Sequence, residues 1–420
     1  MKLGFILKTI NYVALLAMVF IIPFSKQWGS YFIAVWVLSW IIDFGFRKKN
    51  KEWNKQDVWY VLMFVLINII SIFYSENKSN AIGTLQTQLS LIIIPIVLVT
   101  ANEYYKQKKD TIINIYIIGI IFYVLYILYN VIIVEKLFSH LQWSLKIDQI
   151  IGIFRWLIGK LHIHRSYISL HLNLGILFCL YYLQNSNITK RNKFIYVSAL
   201  IPIFLILILF NSRAALLFFI FLFFYNIIKW LKRDKRFINK IVVIVIFLIC
   251  ISIISKTRLS ENFFSLMRKE VRIEQVGIRF SLWKSALIVW KEKPLFGHGI
   301  GDAKEELIEV NYIQNITKRD SKYLNCHNQF LETATQTGLL GLITLLLVFA
   351  IPLYQSIKKK QELLFLFLMI CFINFLFESM LQRLAGVVFF AFWYSFLWFV
   401  YYKDEDKDRT EEITSSSNPK

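Results

Sequence analysis

The sequence predicts an all-α polytopic membrane protein with about 12 transmembrane helices. Of its 420 residues, 57% are hydrophobic and 17% aromatic, and the mean hydropathy is +0.54. Soluble domains contain about 45–50% apolar residues. The excess lies in long runs, each long enough to cross about 30 Å of hydrocarbon at about 1.5 Å per residue. Together these observations indicate one transmembrane domain, residues 1–402.

The apolar runs define the predicted spans. In chain order they are residues 4–23, 28–46, 57–74, 81–100, 111–134, 166–184, 194–211, 213–231, 240–256, 330–354, 362–381 and 384–402. The first run contains Lys8 and lacks a small-residue cleavage site. This favours a retained signal-anchor over a removed signal peptide.

The connections between the spans alternate in charge. Five of them hold 20 Lys and Arg in total, at 47–57, 105–110, 189–193, 229–240 and 357–360. The short connections on the opposite side hold four, namely Lys26, Lys78, Arg213 and Arg383. The positive-inside rule therefore predicts that both termini are cytoplasmic. The same placement explains the net charge of +21 without nucleic-acid binding.

Three segments lie outside the predicted spans. Residues 135–165 form a partly apolar outer loop, and residues 257–328 form the largest extramembrane piece, between spans nine and ten. Residues 403–420 are polar and charged, and we expect a disordered cytoplasmic tail there.

The large loop contains a predicted amphipathic helix. Its apolar stripe recurs at helical spacing and consists of Val276, Phe280, Trp283, Leu287 and Trp290. Tryptophans on such a stripe favour the headgroup zone, so we expect the helix to lie across the outer mouth of the bundle. Pro294 ends the helix, and a glycine-rich turn follows in which His298 is expected to be exposed.

Metal and thiol chemistry find little support in the sequence. The four cysteines form no C-x-x-C pair, so neither a disulfide framework nor a zinc site is supported. The histidines of "LHIHRSYISLHL" (161–172) lack the i, i+4 spacing of a helical metal site. We predict no metal site and no cofactor.

Polar residues gather at the predicted outer ends of the spans. Arg213 begins span eight, and Arg279 lies on the amphipathic helix. Arg213 is either a functional residue or an arginine that pins a helix end at the headgroups, and Arg279 is a second candidate phosphate ligand. Arg165 and Tyr167 begin span six at the same level.

Two further polar features occur at this level. His327 and Asn328 precede span ten, where a positive helix end favours a neutral imidazole able to accept a proton. The alternative for His327 is a helix cap or a ligand of interfacial water. Glu378 and Arg383, at the outer end of span eleven, are either an ion pair or ligands of a polar substrate.

These features resemble the O-antigen ligase and polymerase family of bacterial envelope glycosyltransferases. His327 and a small polar residue precede nine residues and Gly338-x-x-Gly341, as in the hallmark motif of that family. Ser-Arg at 212–213 and the pattern R-x3-W-x10-P-x2-G-x-G of the large loop are similar too, the latter formed by Arg279, Trp283, Pro294, Gly297 and Gly299. His298 stands where the family more usually has another residue.

The resemblance implies a mechanism and a location. Arg213 and Arg279 would bind the diphosphate of an undecaprenyl-linked glycan, and His327 would deprotonate or orient the acceptor hydroxyl. Transfer would proceed with inversion and without metal, in the bacterial inner membrane, at a site facing the periplasm. A ligase that uses lipid A-core as its acceptor is the first interpretation. A polysaccharide polymerase, a protein O-oligosaccharyltransferase and a transporter of lipid-linked glycan are the alternatives.

Overall fold

The protein is helical throughout the part of the chain that the structure describes. This computed structural model describes residues 2–24, 26–44, 59–134, 147–160, 164–184, 188–210, 212–233, 276–316 and 325–401, with no strand among them. The helices are α1 (Lys2–Ile21), α2 (Lys26–Phe44), α3 (Trp59–Tyr74), α4 (Lys78–Gln88), α5 (Ser90–Thr100), α6 (Asn102–Lys106), α7 (Lys109–Tyr129), α8 (Ile147–Lys160), α9 (Arg165–Leu183), α10 (Lys190–Phe210), α11 (Arg213–Arg233), α12 (Val276–Glu292), α13 (Ala303–Ile313), α14 (Gln329–Lys358), α15 (Glu362–Phe377) and α16 (Leu384–Ser395). Short π-helical segments extend α7 over Asn130–Val134 and α16 over Phe396–Tyr401, and a 3-10 turn, Met380–Gln382, lies between α15 and α16.

The predicted fold class is confirmed. Seven of the described helical segments are long and apolar enough to cross a membrane, and four further apolar helices are shorter. They coincide with eleven of the twelve predicted spans; the ninth, 240–256, and the tail, 403–420, lie outside the described residues. The fourth span is divided at Leu89, whose N–H donates to Gln86 rather than to a residue four positions earlier. Internal hydrogen bonding of every backbone group makes the helix the form that such runs adopt in hydrocarbon.

The centre of the bundle is formed by α9, α15 and α16. In the segment Leu384–Tyr401, 89% of the residues are buried, and in Arg165–Leu183, 72% are, against 33% for Gly4–Ile21 near the amino terminus. Helix α9 packs against α15, and α14 packs against both α3 and α15. The starts of α9 and α14 and the end of α15 therefore lie close together.

The loop helix α12 is confirmed, but it packs through a face other than the predicted stripe. Leu282, Ala286 and Val289 are buried, whereas Phe280 and Leu287 of the stripe remain 54% and 40% exposed. Ala286 and Val289 of this face form a small apolar core with Leu307 of α13 and with Cys326. The location of α12 at the headgroup zone stays a prediction, with Phe280 and Leu287 exposed as it requires.

Helix α14 bends where the turn after α12 docks on it. Gly338 has φ +64° and ψ −157° inside α14, so the regular hydrogen-bond ladder is interrupted there. The freed backbone groups bond to the turn instead: His298 N–H to Thr335 O (2.9 Å), Gly299 N–H to Gln336 O (2.8 Å) and Leu339 N–H to Pro294 O (2.8 Å). We call the paired segments 294–299 and 335–339 the kink–turn interlock.

The glycines of the two sequence motifs make the kink–turn interlock possible. Gly297 has φ +68°, and a Cβ there would lie 2.6 Å from the carbonyl of Gln336. A Cβ at Gly338 would overlap the backbone carbonyl of Leu295. The glycine-rich turn after Pro294 and the glycine motif after His327 thus meet in one contact between their backbones.

The same turn is also fixed to the connection between α3 and α4. The Asp302 carboxylate accepts from the backbone N–H groups of Glu76 (2.6 Å) and Asn77 (2.8 Å). The Tyr74 hydroxyl donates to the carbonyl of Phe296 at 2.6 Å. The expectation of an exposed His298 is wrong, because its side chain is only 3% exposed within this arrangement.

Candidate active site

A cavity opens where α8, α9 and α12 meet the chain around His327 and Glu378. Its volume is about 590 Å³. It is lined by Gly152, Trp156, Ile158, Gly159, His164, Arg165, Ser166, Arg279, His327 and Glu378. Four of the predicted site residues, Arg165, Arg279, His327 and Glu378, therefore share one cavity although they are far apart in the chain.

His327 and Glu378 form the polar centre of this cavity. His327 Nδ1 lies 3.2 Å from Glu378 Oε1, and Ser166 donates to the other carboxylate oxygen at 3.4 Å. The His327 side chain is 26% exposed and that of Glu378 only 6%. Because an ionised carboxylate only accepts hydrogen bonds, Nδ1 carries the proton of this pair and the lone pair of a neutral ring lies on Nε2.

A hydrogen bond and nearby basic groups keep Glu378 ionised. Burial alone would raise its pKa, but the hydrogen bond from His327 and the charges of His327, His164 and Arg279 outweigh it and lower the pKa below 4.5. A lowered pKa means that the interaction stabilises the folded state above the ordinary carboxyl pKa and is lost as the pH falls through the lowered one. The pair is therefore intact at neutral pH.

The start of α14 holds His327 in place from both sides. Asn328 Oδ1 caps the helix by accepting from Phe330 N–H (2.9 Å) and Leu331 N–H (3.1 Å). His327 itself has φ +48°, in the left-handed region that residues other than glycine adopt at a cost. In this conformation the ring lies within hydrogen-bond distance of Glu378.

Polar side chains in the first turn of α14 position the segment that carries Glu378. Glu332, 2% exposed, accepts from Cys326 N–H (3.1 Å) and from Ser379 Oγ (3.0 Å). Gln329 Oε1 accepts from the N–H of Leu381 at 2.7 Å. Cys326, Ser379 and Leu381 are thus all bound to the first turn of α14. These contacts fix the distance between His327 and Glu378.

Cys326 adjoins His327 but is a packing residue. Its side chain is buried in the small core shared by α12 and α13. Burial, followed by the nearby Glu332 carboxylate, raises the pKa of the Cys326 thiol well above its usual value. A protonated, buried thiol is a poor nucleophile.

Three further predicted site residues, Tyr167, Asn328 and Arg383, are not among the described residues that line the cavity. Tyr167 is buried, with its ring 4.8 Å from that of His164, and Asn328 caps α14. Arg383 is exposed at the start of α16, and within the described chain the ion-pair partner of Glu378 is His327 rather than Arg383. Arg213 begins α11 as expected, and its side chain lies outside the described part of the structure.

Sequence reasoning missed three contributors. His164 and Ser166 line the cavity, and Glu332 positions its walls. His164 and Ser166 flank Arg165 at the start of a span, which is a signal that could have identified them. Glu332 had a signal as well, because a carboxylate in an otherwise apolar span is costly unless it is paired.

Comparisons with known proteins give one family model and two partially matching relatives. A family model described as O-antigen ligase matches residues 198–346. An uncharacterized protein of Haemophilus influenzae is 32% identical over 140 residues, which are 30% of this chain and 35% of that protein. The ComP-specific O-oligosaccharyltransferase of Acinetobacter baylyi is 31% identical over 132 residues, or 30% of this chain and 23% of that protein.

The matches are partial, and that of the family model lies on the region that carries the motifs. They span about a third and about a quarter of the length of these two relatives. The region matched by the family model contains the start of α11, the whole of α12 and the kink–turn interlock, together with His327. Through this region the chain is similar to the O-antigen ligase family.

Proposed function

We propose that the protein is a membrane glycosyltransferase that moves a glycan from undecaprenyl diphosphate to a lipid A-core acceptor. The observation that carries this proposal is the His327–Glu378 pair, which lies beside Arg279 and Arg165 in a cavity of about 590 Å³. A potential base next to guanidinium groups suits an acceptor hydroxyl and a diphosphate leaving group. The family match supports the same class of reaction.

The proposed reaction is a single displacement. The acceptor hydroxyl gives its proton to Nε2 of His327, and its oxygen attacks the anomeric carbon of the glycan. The bond from that carbon to the diphosphate oxygen breaks, and the diphosphate leaves with the electron pair. Attack opposite the leaving group inverts the anomeric configuration.

Arginine side chains would stabilise the leaving group. Arg279 and Arg165 line the cavity, and Arg213 begins a helix that packs against α15 and α9. A guanidinium offers paired donors that match phosphate oxygens, so no metal ion is required to neutralise the developing charge. Asn328, Tyr167 and Arg383 remain predicted ligands of the glycan.

Glu378 is assigned a positioning role in place of the predicted contact with substrate. Its carboxylate accepts from Nδ1 of His327, holds the ring with Nε2 free and stabilises the imidazolium that forms during transfer. Ser166 of α9 donates to this carboxylate, and the N–H of Leu381 donates to Gln329 of α14, which keeps the segment that carries Glu378 in register.

The substitution Glu378→Gln tests this role. We expect kcat to fall by about 10–150-fold with little change in KM, since a hydrogen bond to a charged group contributes about 1.5–3 kcal/mol. Steady-state kinetics on the purified variant would measure the split. Glu378→Asp, which keeps the charge on a shorter arm, should recover part of the loss. An effect on KM alone would indicate a substrate ligand instead.

The membrane orientation follows from the same proposal. The cavity lies at the helix ends opposite the basic connections, so it would face the periplasm of an inner-membrane protein with cytoplasmic termini. The proposed partners are the lipid-linked donor, the acceptor glycolipid and the surrounding lipid. Nucleic acid is not a proposed partner.

A second acceptor class has specific support. The Acinetobacter baylyi relative is named for O-oligosaccharyltransfer to ComP, so a protein acceptor is the second candidate. A polymerase that extends the glycan on the same carrier is the third, and a transporter of lipid-linked glycan is the rival outside the enzyme class.

Reconstitution distinguishes these functions. The purified full chain would be placed in vesicles with a lipid-diphosphate oligosaccharide and offered lipid A-core or an acceptor protein, and the products would be separated by gel electrophoresis. We expect glycan on lipid A-core. Glycosylated protein or lengthened carrier-linked glycan would reassign the acceptor. Movement of the donor across the bilayer without transfer would refute the proposed glycosyltransferase activity.

A further inference from the structure

A buried histidine and two carboxylates meet in the turn after α12, away from the cavity. Glu292 is the last residue of α12, His298 lies in the turn, and Glu306 lies in the first turn of α13. One ligand atom from each lies within 4.8 Å of the others. The proposed transfer reaction uses none of these three residues.

The hydrogen bonding of His298 leaves one ring nitrogen available. Nε2 lies 2.9 Å from the carbonyl oxygen of Val289. A carbonyl oxygen only accepts, so Nε2 carries the hydrogen and Nδ1 of the neutral ring carries the lone pair. Nδ1 is buried and has no hydrogen-bond partner among the described residues.

The unpartnered nitrogen points at a group that cannot donate to it. Nδ1 lies 3.7 Å from Glu306 Oε1, and Glu292 Oε2 lies 3.7 Å from Nε2 of the same ring. Two lone-pair donors at this separation suit a cation between them, because two metal–ligand bonds of about 2.0–2.2 Å that meet at an open angle span nearly this distance. An imidazole that donates its other N–H to a backbone carbonyl is the usual form of a metal-bound histidine.

We propose that Glu292, His298 and Glu306 bind a divalent transition-metal cation such as Zn²⁺, with His298 Nδ1 as the buried ligand. The carboxylates are 53% and 41% exposed, so a cation reaches the site from solvent and each carboxylate can move the short distance that coordination requires. Water completes the coordination sphere.

The proposed site would have a structural role. A bound cation would tie the end of α12 to the start of α13 across the turn that forms the kink–turn interlock. Because Arg279 lies on α12, the cation would also fix the helix that delivers this guanidinium to the cavity. The site is independent of the proposed reaction and takes no part in the displacement.

Zinc binding to the purified full chain tests the proposal. The protein, freed of any polyhistidine tag and treated with chelator, would be titrated with ZnCl₂ at pH 7.5 while its Tm and its bound zinc after gel filtration are measured. We expect one Zn²⁺ per chain and a rise in Tm. His298→Gln, which keeps an N–H for Val289, and Glu306→Gln should each lose the bound zinc.

The matched control is the same substitution at the histidine of the cavity, His327→Gln. His327→Gln should bind zinc and gain Tm as the wild-type chain does, because the site lies elsewhere. Loss of zinc from His327→Gln with retention by Glu306→Gln would place the metal in the cavity and overturn the proposal. A wild-type chain that keeps no stoichiometric zinc would overturn it too. Neither result would bear on glycan transfer, which is assayed separately.

Discussion

His327→Gln is expected to insert and fold as the wild-type chain does and to lose glycan transfer by about 10²–10⁴-fold, the usual contribution of a general base. A glutamine at this position keeps an N–H that can reach Glu378, but it has no nitrogen that accepts a proton. The substitution therefore removes the proposed base while it preserves much of the packing around residue 327. Product formation in reconstituted vesicles, with Tm and membrane yield alongside, measures both properties.

A second substitution makes the test of His327 independent of folding. The backbone φ of +48° at this position suits glycine, so His327→Gly should be accommodated and should leave an imidazole-sized space beside Glu378. Added imidazole is expected to restore part of the activity of His327→Gly and none of that of His327→Gln. Lys284→Gln, at an exposed position of α12, serves as the control and should transfer normally. Wild-type rates for His327→Gln would refute the role of the imidazole as a base.

The gathering of four polar residues at one end of the helices was predictable from sequence, and the reason is physical. Apolar runs must form helices across the hydrocarbon, and the charge of the connections orients them, so the outer end of each span can be deduced. On that basis Arg165, Arg279, His327 and Glu378 were expected at one level. All four line one cavity.

The sequence did not predict which of these residues contact one another. Hydrophobic periodicity gives the height of a residue along a span but not which helices are neighbours in the plane of the membrane. Glu378 could therefore be paired with the nearby Arg383 on sequence grounds, whereas the packing of α9, α14 and α15 brings it to His327 and Ser166. His298 is a similar case, since a histidine between glycines gave no sign of burial under α12.

The glycines of the family motif show a further limit of sequence reasoning. Gly338 and Gly341 indicate a close approach between helices, which is the usual reason for small residues in a span. In the structure Gly338 instead interrupts α14, so that backbone groups of the helix bond to the turn at 294–299. Periodicity alone carries no information about such a break.

Gly338→Ala is expected to open the kink–turn interlock and to be the most destabilising of the substitutions considered. The φ and ψ of Gly338, +64° and −157°, lie in a region that is essentially restricted to glycine, which costs another residue about 1–3 kcal/mol. The added methyl group would also overlap the carbonyl of Leu295, so the turn must move away from α14. Thermal unfolding in detergent should show a lower Tm, and limited proteolysis should cut the turn at 293–302 faster.

The activity of Gly338→Ala separates the kink–turn interlock from ordinary helix packing. Displacement of the turn moves α12 and with it Arg279, so transfer should fall although His327 and Glu378 are unchanged. Gly83→Ala is the matched control, because Gly83 lies within α4 and a Cβ there meets nothing within 4 Å. In that helical position alanine should be neutral or stabilising by about 0.5–1 kcal/mol. Equal Tm values for the two variants would mean that the backbone at Gly338 tolerates a side chain, and the turn would then be held by its contacts with α3 and α4 instead.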